Sequence, residues 1–181
     1  RTVPGNTSKT LWTKFRSIHE LPQYINPKSG FLFNTNHSSF LATAKEDNLN
    51  PKLFAKADGW ETYHLNRSAR VLELFPQQPI SYEKLKEIKF DRQYPQKFYF
   101  PYDIDSMYNI KADAYPQLKN VITNFQQWNR QGLADSKGAA VFLLVYEHLK
   151  KTLGGQPPRK ITTAEAIEAF SATAAYMNKH F

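Results

Sequence analysis

Behind Pro116, Ser136 and Thr162 stand three stretches whose apolar residues recur every three or four positions. After Pro116 come Leu118, Val121, Ile122, Phe125 and Trp128. After Ser136 come Val141, Phe142, Val145 and Leu149, closed by Gly154-Gly155. After Thr162, with Glu165 three residues on, come Ile167, Phe170, Ala174 and Met177. That spacing puts each set on one face of a helix. The flanks carry the chemistry helix ends need: Pro at a first position, Ser and a Thr/Glu capping box, and Gly at an exit. Two shorter helices are expected upstream. Leu65–Phe75 carries Val71, Leu72, Leu74 and Phe75 and is stopped by Pro76; Tyr82–Lys89 is capped by Ser81. The chain therefore reads as α+β, mainly α-helical with a few short strands.

The first 30 residues read differently. Pro4-Gly5, Leu21-Pro22 and Asn26-Pro27 each oppose helix, so an extended, irregular lead-in is expected. Phe31-Leu32-Phe33 is a short apolar run, most simply a buried strand. Residues 43–60 read as loop with a helical turn near Asn50-Pro51. Residues 90–114, rich in Tyr, Phe and Pro, are expected to form a long packed surface loop. Gly154–Lys160 is linker-like.

A length of 181 residues can bury a real core in one domain. The absence of Cys excludes disulfides, thiolate metal sites and a Cys nucleophile. The net charge of +8 invites a nucleic-acid reading, but the densest basic group (Lys84, Lys86, Lys89, Arg92, Lys97) is interleaved with Glu83, Glu87 and Asp91. That pattern is a solvated helix face, so no nucleic-acid partner is expected. No apolar run is long enough for a membrane span. The five His residues have no metal-binding spacing, and no phosphate loop or Gly-x-Ser-x-Gly elbow occurs. No metal site is expected in this chain.

One stretch stands apart. Asn34-Thr35-Asn36-His37-Ser38 follows the apolar run directly. Clustered side-chain amides at the end of a strand place hydrogen-bond donors at a fixed point, which suits a site that stabilises a negatively charged oxygen. The other reading is an Asn/Ser-rich turn whose amides serve the local backbone.

NPKSGFLFNTNHSSF (residues 26–40) resembles the segment of penicillin acylase (penicillin amidase) family enzymes that reads Asn-Pro-x-Ser-Gly, an apolar strand, then Asn-x-Asn-x-Ser/Thr-Pro-Phe. VPGNTSKTLW (3–12), LPQYINP (21–27) and NRSARVLELF (66–75) resemble the flanking segments there, in the same order. After residue 75 the resemblance is looser, carried by NFQQWNRQG (124–132). The acyl-homoserine-lactone and aculeacin acylase branch is the nearest in character. Two departures stand out: Ser39 replaces the Pro before Phe40, and His37 occupies a position that is usually another polar residue.

The resemblance implies an N-terminal nucleophile (Ntn) hydrolase of αββα architecture, cut from a precursor by its own action. A Ser at the start of the larger subunit attacks an amide carbonyl, with its α-amino group as base. An α-amino group titrates at about 7.7–8.0, so much of it can accept a proton near neutral pH. Carried over residue by residue, Asn36 falls on the oxyanion-hole asparagine and Arg67 on the arginine that orients that Asn and the nucleophile. Asn34, on the same face of the expected strand, is a support residue; Arg70 serves structure. Residues 1–75 would then be a segment of the hydrolase core and 76–181 a helical excursion of the same larger (beta) subunit.

The nucleophile is expected outside this chain, which is read as an inactive fragment of an enzyme cleaving linear N-acyl amide bonds. Its partners would be the small subunit, the nucleophile-bearing part of the larger subunit, and a small-molecule N-acyl substrate. The resemblance allows a structural calcium elsewhere in the full-length enzyme and points to a periplasmic or extracellular location. The competing reading is a non-catalytic helical module that binds another protein through its aromatic surface.

Overall fold

The computed structural model describes residues 2–11, 13–75, 79–99, 102–154 and 159–181. The expected helix stop at Pro76, Trp12 of the second matched segment, Arg1, and residues 155–158 of the linker-like stretch lie outside the described residues. The chain divides into two compact units, Arg1–Tyr63 and His64–Phe181.

The first unit is built from turns. Among its described residues, short 3-10 turns occur at Ser8–Thr10, Ile18–Glu20, Ser39–Leu41, Pro51–Leu53 and Lys56–Asp58. Those at Ser8, Ile18, Ser39 and Pro51 are opened by the side chains of Thr7, Ser17, Ser38 and Asn50, each of which accepts a backbone N–H. The two turns within 43–60 fill the expected loop.

The expected strand at Phe31–Phe33 does not form. In place of a ladder, the Phe33 N–H donates to the Ala42 carbonyl (3.0 Å). The buried Thr43 takes over the rest. Its hydroxyl donates to the Phe31 carbonyl (2.8 Å) and lies 2.6 Å from Ser29 Oγ. Asn48 holds the Thr43 backbone on both sides, accepting its N–H (3.2 Å) and donating to its carbonyl (3.3 Å). The Asp47 carboxylate accepts the Ser29 N–H at 2.5 Å, and that bond holds its carboxyl below the usual range. Among the described residues of this unit the three-residue apolar run has no partner strand, and side chains hold part of its backbone instead.

The second unit carries the regular structure. Its helices are α1 (Asn66–Leu74), α2 (Tyr82–Phe90), α3 (Lys119–Gln126), α4 (Lys137–Leu153) and α5 (Thr163–His180). Ser81, Ser136 and Thr162 cap α2, α4 and α5 as their sequences predict. Pro116 opens a 3-10 turn (Pro116–Leu118) that leads into α3. Two short strands, β1 (Tyr102–Asp103) and β2 (Arg159–Lys160), pair in parallel with Tyr102 opposite Arg159. The mainly helical α+β class is thus observed.

α3, α4 and α5 pack on one another around Ile122, Phe125, Phe142, Val145 and Phe170, each nearly inaccessible to solvent. The connection 90–114 departs from expectation. Phe98, Tyr102, Ile104 and Met107 are buried in that same core, so the segment is a wall of the core and not a surface loop. Trp128, from the loosely matched segment, stacks on Phe142 with centroids 4.5 Å apart and donates its indole N–H to the Gln131 carbonyl (2.9 Å).

Candidate functional site

Asn34 and Asn36 come together, but in a turn and not on a strand. The Asn34 side-chain carbonyl accepts the Asn36 backbone N–H at 2.7 Å. Asn36 stands at φ 58°, in the left-handed region that Asn tolerates better than most residues. The period-2 argument that put both amides on one face therefore fails, because the backbone reverses between them. The Asn36 carboxamide is exposed and takes part in no hydrogen bond among the described residues. Its donors are free for a ligand.

The turn is held from both sides. Before it, the Thr35 N–H donates to His37 Nδ1 (3.0 Å). After it, the buried Ser38 accepts the Phe40 N–H at 3.2 Å and donates to the Glu61 carbonyl. Sequence reasoning missed His37 and Ser38 as parts of the site. The signal available was His37 itself, a ring able to accept and donate at once.

A groove of about 470 Å³ lies in the same unit, lined by Phe40, Pro51, Phe54 and Trp60 with Lys52 and Lys56 at its rim. Phe40 packs on Phe54 (centroids 5.2 Å) and edge-on to Trp60 (6.5 Å). Its aromatic walls suit an apolar group.

The two arginines of α1, in the second unit, behave oppositely. Arg70 is locked. Its Nε donates to Asp91 Oδ2 (2.8 Å), its second terminal nitrogen to Asp91 Oδ1 (3.1 Å) and Gln93 (3.1 Å), and the other to Glu73 (3.1 Å). The Asp91 carboxyl is held below its usual value, chiefly by Arg70, and the Arg70 guanidinium is raised in turn by Asp91. Arg67 is exposed and makes no ion pair or hydrogen bond among the described residues. Glu73, a conceivable partner for Arg67, is taken by Arg70.

Asn66 positions the start of α1. Its amide accepts the Tyr99 N–H (2.7 Å) and donates to the Tyr99 carbonyl (3.3 Å). The buried Ser68 closes the first turn through Leu65, donating to its carbonyl (2.8 Å) and accepting its N–H (3.1 Å). Among the described residues no group of three or more His, Asp or Glu side chains is placed to hold a metal ion.

The family model described as penicillin amidase matches residues 1–180. The chain belongs to the penicillin amidase family. The match runs through the helical unit, well past residue 75, where the residue-by-residue resemblance thins. Membership points to an acylase-type amidohydrolase and to a chain that works as part of a multi-chain enzyme. No solved structure matches the chain. No helix among the described residues is long and apolar enough to cross a membrane.

Proposed function

We propose that this chain supplies the charge-stabilising half of the active site of an Ntn-type amidase in the penicillin amidase family. The Asn36 carboxamide donates to the oxyanion that forms when a Ser hydroxyl attacks the substrate amide. Arg67 orients that Asn and the nucleophile. Asn34 supports the turn. The nucleophilic Ser lies on another segment of the enzyme, and its α-amino group takes the proton and passes it to the leaving amine. Removing one oxyanion donor typically costs about 10²–10³ in rate.

The observation that carries this reading is the free, exposed carboxamide of Asn36 on a backbone fixed by Asn34. An amide that merely satisfied its own backbone would be engaged there, as the Asn34 amide is. Arg67, without a partner among the described residues beside the fully engaged Arg70, supports the second role. Leu11, Phe15 and Ile25 of the first unit are large apolar residues left exposed (68%, 84% and 79%), as expected where further chain is to cover them.

The substrate is a small molecule with a linear N-acyl amide, its apolar acyl part suited to the aromatic groove of Phe40, Phe54 and Trp60. The acyl-homoserine-lactone and aculeacin acylase branch fits this best. The enzyme acts in the periplasm or outside the cell.

The test is turnover of a chromogenic acyl amide by the full-length enzyme and by the 181-residue chain alone. Asn36→Gly removes the carboxamide without opposing the left-handed backbone. It should lower kcat of the full-length enzyme by about 10²–10³ with the fold intact, and the chain alone should be inert. Unchanged turnover in Asn36→Gly removes the site; robust turnover by the chain alone removes the claim that the nucleophile lies elsewhere.

A further inference from the structure

His37 spans the turn that presents Asn36. The Thr35 backbone N–H donates to Nδ1 at 3.0 Å, and Thr35 Oγ1 lies 2.9 Å from the same atom. On the far edge of the ring, Nε2 lies 3.0 Å from the Leu41 carbonyl oxygen. The ring stacks on Phe33 with centroids 4.6 Å apart and planes 25° from parallel.

These partners settle the roles of both nitrogens. A backbone N–H can only donate, so Nδ1 must present its lone pair. A carbonyl can only accept, so Nε2 must carry the proton. One imidazole in one tautomer therefore ties the residue before Asn36 to the turn Ser39–Leu41 after it. Asn36 sits inside that span at φ 58°, with its own N–H held by Asn34.

We propose that His37 is a positioning residue for the oxyanion donor: it fixes the backbone from Thr35 to Leu41 so that the Asn36 carboxamide is aimed before the substrate arrives. The inference rests on the reading of Asn36 as that donor. An oxyanion donor acts by standing in place before charge develops, and its own motion would erase the gain. A displacement of about 1 Å at such a group can cost about 10²-fold. Asn34 holds the Asn36 N–H alone, and Ser38 holds only atoms after Asn36, the Phe40 N–H and the Glu61 carbonyl. His37 alone among these three joins the two sides of Asn36, and its ring is braced against rotation by Phe33.

The roles of the two nitrogens predict a graded set of variants. His37→Phe keeps the stack on Phe33 and loses the hydrogen bonds at both ring nitrogens. His37→Asn places an acceptor oxygen where Nδ1 stood and loses the donor to Leu41. His37→Ala loses everything. Because the oxyanion exists only on the way through the reaction, loss of aim lowers kcat and leaves KM alone.

The experiment is steady-state turnover of a chromogenic acyl amide by the full-length enzyme carrying each variant, with thermal midpoints recorded for all. His37→Phe should lower kcat by about 10- to 100-fold with KM unchanged, and His37→Asn should recover most of the loss. In an Asn36→Gly background, His37→Phe should lower the residual kcat no further, since the group it aims is gone. If His37→Ala does not fold, the His37→Phe and His37→Asn pair carries the comparison. Wild-type kcat in His37→Phe overturns the proposal, as does an equal loss with and without Asn36. An inactive Asn36→Gly beside a fully active His37→Phe sinks only the positioning role. An active Asn36→Gly sinks the donor assignment and the positioning role together.

Discussion

The side-chain carbonyl of Asn34 holds the backbone N–H of Asn36 at 2.7 Å, and that bond makes the first amide the anchor of the second. The arrangement separates what the two residues contribute. Asn34 needs only an acceptor oxygen; Asn36 needs a donor NH₂ and tolerance of φ 58°. Asn34→Asp keeps the acceptor, so it should retain turnover within a few-fold, whereas Asn34→Ala should lose about 0.5–1.5 kcal/mol of stability and lower kcat. Equal kcat in the two variants would mean that the bond does not shape the site.

Asn36 itself should show a split between stability and chemistry. Asn36→Ala forces a Cβ-bearing side chain without Asn's local compensation into the left-handed region, at a cost of about 1–2 kcal/mol; Asn36→Gly relieves that cost. Both should be equally poor catalysts. Urea midpoints that coincide for the two variants would show that the turn relaxes to another conformation when Asn36 is lost.

Arg67 and Arg70, one helical turn apart, should respond in opposite ways. The Arg70 fork engages both Asp91 oxygens and Gln93, a geometry a lysine ammonium cannot copy. Arg70→Lys should therefore cost about 1–3 kcal/mol, read as a fall in the urea midpoint. Arg67→Lys touches no partner among the described residues and should stay within about 0.5 kcal/mol of wild type, while turnover of the full-length enzyme falls. Loss of stability in Arg67→Lys with turnover intact would reverse the two assignments.

The helices were legible in the sequence because the signals that form them are local. Ser81, Ser136 and Thr162 each lie three residues from the N–H they cap, and the apolar period needs only one face to be read. Phe31–Phe33 was not legible, because a strand requires a partner and the sequence could not reveal that Thr43, Asp47 and Asn48 would hold this segment instead. Residues 90–114 misled for a similar reason. Their Pro and Tyr content reads as loop, yet Phe98, Tyr102, Ile104 and Met107 meet α3, α4 and α5 in the core, contacts between residues far apart in the chain. At the candidate site the residue types were readable from the resemblance, but the turn geometry and the role of His37 depend on where Thr35 and Leu41 come to lie.

Gly138 offers a test of the core between α3 and α4. A Cβ placed there would come within 2.5 Å of Trp128 Cβ, so the start of α4 approaches the Trp128 side chain more closely than any other residue type allows. Gly138→Ala ordinarily favours a helix by up to about 1 kcal/mol. Here the clash should win, and the variant should lose about 1–3 kcal/mol, with Trp128 pushed off Phe142. A urea midpoint that rises in Gly138→Ala would show that the Trp128 stack yields freely.

Glu165 couples the entry of α5 to β2, and it should make stability depend on pH in a defined window. Arg159 donates to both of its oxygens (2.6 and 3.1 Å), and the Thr162 N–H donates to it at 2.9 Å. These bonds, the Arg159 ones foremost, hold its carboxyl down from 4.5 to about 2. A carboxyl whose folded value lies below its unfolded value stabilises the fold above the unfolded value and loses that contribution as pH falls through the folded one. The contribution is therefore complete at pH 5.5, declines below about 4.5 and is gone near 2. Glu165→Gln keeps the shape of the cap but has no charge to lose. Its urea midpoint should sit below wild type at pH 5.5, and the gap should close as the pH is lowered toward 2.5. A gap that stays constant across that range would mean that the pairing with Arg159 does not distinguish the charged from the neutral carboxyl.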